Sequence, residues 1–235
     1  MNGKAIIKFL VVVAVIIGTF AYCIEPLAGS LKQGLDLQGG THIVLEAEDS
    51  ATGKADNDAV ERAKQILERR INEMGLSEPL VQREGARRII IELPGVKDPD
   101  EAIKRIGKTA VLEFKNDQGQ TVMTGDDLKD AKEELGQNKQ PLVAIELSDE
   151  GAKKFADLTS KNIGRRIAIT LDGQELTNPV VQQAITGGKA TISGSQSLEE
   201  AKDLAILLRS GALPVKINVL EVRTVGPSLG QDLSL

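Results

Sequence analysis

The chain has 235 residues, 27% of them charged and 41% hydrophobic, enough for one large or two modest domains with a real core. Beyond residue 24 its only aromatic side chains are Phe114 and Phe155, which excludes a stacking platform for single-stranded nucleic acid. Past that point 27 basic side chains stand against 34 acidic ones, a net of −7 that suits solubility and repels a phosphate backbone.

Residues 9–24 carry no charge, and the 20 residues from Ala5 to Ile24 contain only Lys8. That length spans a bilayer as a helix. Lys4 and Lys8 flank the early end and Glu25 follows the far end, so residues 1–24 are expected to anchor the chain with its N-terminus in the cytoplasm. A cleaved signal peptide is the competing reading, and it lacks a good small-x-small cleavage site. Cys23, the single cysteine, follows bulky Tyr22, which disfavours lipidation and leaves no intrachain disulfide.

Gly34 to Gly40 form a glycine-punctuated turn, which leads into a strand over 41–48. Thr41, Ile43, Leu45 and Ala47 share one face of it, and His42, Val44, Glu46 and Glu48 the other. Asp58 to Glu61 read as a capping box opening a helix whose stripe is Val60, Ala63, Leu67, Ile71 and Met74, with Gly75 as the stop. Strands are expected at 80–84 and 87–93, the second buried on both faces through Ile89, Ile90 and Ile91. A helix follows Asp98-Pro99 and ends at Gly107, and 110–115 is a strand. This β-α-β-β-α-β order predicts an α+β, ferredoxin-like base over residues 25–115.

After a turn at 116–119 the spacing predicts a short polar helix over 125–135, a strand at 142–147, a helix capped by Ser148, and a hairpin at Asp172-Gly173. Residues 116–186 are read as a smaller α+β head inserted into the base. Gly187-Gly188 then leads to a strand at 189–193, a helix capped by Ser197 and a long strand at 215–225. That unit, 187–235 with its pre-membrane end, is expected to extend the first sheet.

Conventional chemistry is scarce. His42 is the sole histidine and reads as a solvated or cross-strand residue, with no metal pair and no catalytic triad. The glycine turns match no nucleotide loop, and no cofactor is implied. The pairs Arg69-Arg70, Arg87-Arg88 and Arg165-Arg166 read as solvated faces. Asp36 and Arg223 should both lie near the bilayer, where a pair could fix the angle of the ectodomain. The head, on two short connections, could rotate as a body and take an extended peptide at a sheet edge or groove.

Several blocks carry a resemblance: Gly34–Gly40, Ile71–Pro79, Ile91–Val96, Ile106–Phe114, Ala184–Gly194, Leu207–Pro214 and Arg223–Gly230. Across nearly all of its length the chain resembles the SecD family, from a first transmembrane helix through the first large extracytoplasmic domain. Gly34, Asp36, Gly39, Gly40, Arg223, Gly226 and Pro227 are the positions matching the family motifs. The resemblance implies a ferredoxin-like base with a mobile head, no enzyme activity, and work beside SecF and the SecYEG channel. It further implies a grip on unfolded preprotein, with export completed by the proton gradient. The family's proton-relay groups lie in later transmembrane helices, so that step falls on no residue of this sequence. A membrane-anchored scaffold and a small-molecule sensor are the alternatives.

Overall fold

The structure, a computed structural model, describes residues 12–13, 35, 39–49, 53–76, 79–96 and 98–226. The chain divides into two units, Met1–Gly34 and Leu35–Leu235, and the sheets with the helices packed on them belong to the second. The expected anchor falls outside the described residues except for 12 and 13. Among the described residues no helix is long and apolar enough to cross a membrane.

The second unit is a mixed α+β body with two hydrophobic cores. The first is built on strands β1 (Gly40–Glu48), β2 (Leu80–Glu84) and β3 (Arg88–Pro94) with helices α1 (Asn57–Glu73) and α2 (Pro99–Ile106). Alternation does the sorting. Ile43, Leu45 and Ala47 of β1 and Ile89, Ile91 and Leu93 of β3 are at most 2% exposed, and they meet Val60, Ala63, Leu67 and Ile71 of α1. Asp56, two residues before the expected box, caps α1 by accepting the Ala59 N–H at 2.7 Å. Ile90 lies on the opposite face of β3 and is only partly buried, so the isoleucine run is not covered on both sides.

The closing strand of this sheet is not the expected 110–115 segment. Strand β4 (Leu112–Lys115) belongs to a different sheet, and β11 (Lys216–Val225) takes the place beside β1. The resulting order is β11-β1-β3-β2, antiparallel throughout. Both segments alternate apolar and polar residues, so local pattern could not choose between them; β11 is more than twice as long and pairs β1 along its whole length.

The second core lies between two further sheets, β5-β4-β8-β9 and β10-β7-β6. Their strands are β5 (Thr121–Thr124), β6 (Leu128–Leu135), β7 (Pro141–Leu147), β8 (Ala168–Leu171), β9 (Gln174–Thr177) and β10 (Lys189–Ser193). Helices α3 (Asp149–Lys161) and α4 (Leu198–Ser210) complete it. Phe114 and Phe155 meet edge to face, centroids 6.0 Å apart.

Two expectations give way. Residues 125–135 are a short 3-10 turn (Gly125–Asp127) and strand β6, not a helix. Their Lys, Glu, Ala and Leu favour helix, but β6 pairs with β7 through a turn at Gly136–Gln140, where Lys139 sits at φ 58°. Pairing with a neighbour outweighs a propensity worth a few tenths of a kcal/mol per residue. The 189–210 segment does not return to the first sheet either. β10 pairs with β7, and α4 buries Ala201, Leu204, Ala205, Leu207 and Leu208 in the second core.

Helix α3 begins against the 3-10 turn with no spare room. A Cβ on Gly151 would stand 2.3 Å from the Asp127 carbonyl oxygen, and Asp127 is itself held by Lys154 at 2.8 Å. Gly151→Ala is therefore expected to destabilise the second core by about 1–3 kcal/mol, read as a lower urea midpoint at unchanged slope.

Candidate functional site

The glycine turn is a structural knot. Gly34 and Asp36 lie outside the described residues, as does Pro227. Gly39 adopts φ 66° and Gly40 φ 150°, conformations that glycine supplies without strain. The Gly39 carbonyl accepts the Gly95 N–H at 3.0 Å, and the Thr41 hydroxyl donates to Val96 O at 2.8 Å. Gly40 stands opposite Pro94 on β3 and Val225 on β11. Three of the sequence blocks thus converge on one end of the first sheet, with Gly226 just past it. Arg223 is opposite His42 on the outer face and forms an ion pair with Glu221 on its own strand. His42 Nδ1 lies 3.5 Å from Glu92 Oε1 across the β1–β3 pair, a cross-strand role.

A cleft of about 740 Å³ opens on the second core. Its apolar lining includes Ala131, Ile145, Phe155, Ile167, Ile169, Val181, Ile185 and Ala190. Its polar lining includes Asp130, Lys132, Glu134, Glu146, Gln182, Gln183 and Lys189. Those charges are largely answered within the protein. Lys132 Nζ is 3.0 Å from Asp130 and Lys129 Nζ 2.6 Å from Glu146. Each lysine donates to its carboxylate and holds that carboxyl below the usual range, so both stay ionised in neutral solution.

Of the two threonines in the lining, Thr159 is buried and already engaged. It donates to Phe155 O at 2.7 Å and accepts the Ile185 N–H at 3.0 Å. What remains is an apolar floor with charges of both signs and amide side chains around it. Such a surface can hold apolar side chains of an extended chain, while water and the polar groups serve its backbone. It offers nothing to distinguish one apolar sequence from another.

The sequence alone points to the head, residues 116–186, as the place for a bound peptide and names no contact residue. The cleft also uses Lys189, Ala190 and Thr191 of β10, whose alternation of Ala190 and Ile192 with polar neighbours is the available signal. Among the three basic pairs, Arg69, Arg87, Arg88, Arg165 and Arg166 are exposed as expected, whereas Arg70 is 0% exposed. It continues the Ala63–Leu67 stripe at helical spacing, which is where the clue lies.

Three family models match: the SecD/SecF GG motif over residues 31–51, the N-terminal part of the P1 domain of protein translocase subunit SecDF over 60–119, and the SecDF P1 head subdomain over 103–215. The protein translocase subunit SecD of Acidaminococcus fermentans is 57% identical over 232 residues, 99% of this chain. The chain spans 56% of that relative's length. A crystal structure of SecDF in a super-membrane-facing form superposes with a TM-score of 0.75 at 39% identity, covering 97% of this chain and 36% of that one. A second structure, described as a SecDF membrane component that enhances protein export, has a TM-score of 0.70 at 40% identity and covers 77% of this chain and 99% of its own.

Proposed function

The chain belongs to the SecD family of protein translocase subunits, and from that premise we propose that it is the membrane-anchored, extracytoplasmic part of a subunit that receives unfolded polypeptide during export. The strand order β11-β1-β3-β2 supports a ferredoxin-like base, and the second core supports a head carried between α2 and β11. Residues 1–24 are the anchor, with the cytoplasm on their N-terminal side and the rest of the chain outside. SecF and the SecYEG channel are the partners, and the proton-driven step belongs to other parts of the machinery.

The cleft carries the reading. Its floor is apolar, Asp130 and Glu146 at its rim are paired with lysines, and its buried Thr159 hydroxyl is occupied, which suits transient binding of passing chain over chemistry on a small molecule.

The test replaces Cys23 with serine and places single cysteines at Val180, Gln183 and Thr191 in the cleft and at Arg88 on the base, in cells holding a stalled secretory precursor. Crosslinks are expected at the three cleft positions and absent at Arg88. Val180 is 46% exposed, so Val180→Asp should leave folding intact and slow export several-fold. Crosslinking confined to Arg88 would favour a scaffold, and normal export with no crosslink at any position would remove the peptide-handling role.

A further inference from the structure

Between the two cores the chain crosses twice, outward after α2 and back after α4. One side chain of the base touches both crossings. Arg70 of α1 donates through Nη1 to the carbonyls of Ile106 (2.7 Å) and Lys108 on the outward leg. It donates through Nε to Ser210 Oγ (3.0 Å) and through Nη2 to Gly211 O (2.8 Å) on the return leg. The planar fork of a guanidinium is the group that can serve four acceptors at once; a lysine cannot.

The legs are also tied to each other, Leu213 N–H donating to Thr109 O at 2.8 Å. From the head side Asp172 accepts the N–H groups of Ala110 (3.0 Å) and Val111 (2.9 Å). Those bonds hold Ala110 at φ 61°, a left-handed conformation that alanine rarely adopts. Burial pushes the Arg70 guanidinium down to about 10, which still leaves it charged at neutral pH.

Two ion pairs flank this node, and both join helix α4 of the head to the base. Arg209 meets Glu73 of α1 with two bonds of 3.1 and 2.8 Å, and Arg105 of α2 meets Asp203 through Nε at 3.0 Å. Their side chains remain about a quarter exposed, 31% and 25% for the first pair and 24% and 27% for the second. Salt screens such pairs, while Arg70, shut away from water, keeps its bonds.

We propose that Arg70 is the fixed pivot between base and head, and that Arg209–Glu73 and Arg105–Asp203 are releasable latches that set the angle of the head. Pivot and latches stand whatever the cleft binds. Release of the latches leaves both legs gripped by Arg70, so the head swings about one point and the two bodies stay folded.

The experiment measures the distance between spin labels at Glu68 on α1 and Lys153 on α3, both exposed, in the whole purified protein with Cys23 replaced by serine. Combined Glu73→Gln and Asp203→Asn substitutions should raise the population of a second distance roughly fivefold to tenfold. Raising salt should do the same to the parent protein and add little to the double variant. Arg70→Lys should broaden the distribution at low salt with the latches intact. A single unchanged distance in the double variant at low and high salt overturns the latches, and an unchanged distance in a folded Arg70→Lys protein overturns the pivot. If Arg70→Lys does not fold, Ser210→Ala, which removes the acceptor of Arg70 Nε, takes its place, and an unchanged distance in that variant overturns the pivot.

Discussion

Replacing Phe114 with alanine is expected to lower stability by about 3–5 kcal/mol, the largest effect of any single truncation in the head. The side chain is 0% exposed at the centre of the second core and meets the Phe155 ring edge to face at 6.0 Å. Phe114 and Phe155 are the only aromatic residues after position 24, so every other side chain around the hole is aliphatic or small. Strands on two sheets cannot close over a missing ring without breaking register, which keeps the cavity open. Urea unfolding of Phe114→Ala, Phe155→Ala and the double variant would measure the loss and a ring–ring coupling of about 0.5–1.5 kcal/mol. A loss below about 1 kcal/mol would mean that the second core is far looser than this packing. Because Phe155 also lines the cleft, Phe114→Ala should weaken the proposed peptide handling as well as folding.

Gly40→Ala is expected to be nearly as damaging, about 3 kcal/mol or more, for a different reason. A Cβ there would stand 2.4 Å from Leu93 O, 2.6 Å from Leu35 Cδ2 and 2.9 Å from Pro94 Cα. Two of the three obstacles are backbone in a paired strand and cannot step aside. Gly40 also sits at φ 150°, outside the regions open to L-residues. Gly39 offers the control. At φ 66° it occupies the left-handed region that asparagine tolerates, so Gly39→Asn should cost no more than about 1 kcal/mol. Equal urea midpoints for the two variants would refute the close-packing account of the motif.

Much of this architecture is legible in the residues alone. The stripe of α1 from Val60 to Ile71, the caps at Ser148 and Ser197, and the Asp172-Gly173 hairpin follow from local chemistry, and each is where its residues say. Pairing partners are harder. Nothing in 112–115 or 216–225 states which sheet it joins, because register is settled by strands distant in sequence. Residues 128–135 carry helix formers and still form an edge strand, since β7 gains a hydrogen-bonded partner that a helix could not supply. In the cleft, the pattern points to 116–186 as a region without singling out its residues, and it places β10 in the wrong sheet. Arg70 escapes notice because an arginine on an apolar stripe looks like a solvated neighbour until four acceptors from two remote segments arrive around it.

Gly40 lies directly across from Val225, so the sheet begins and finishes at a single spot. Opposed residues in an antiparallel ladder have Cα atoms only about 4.5–5.5 Å apart. A handful of added residues would therefore splice the two ends into a closed loop, and fresh termini could be cut in the exposed 117–119 turn without parting any strand. The body between those ends is a cassette: a gene could gain or lose it as one insertion, and its host would register no more than a short loop.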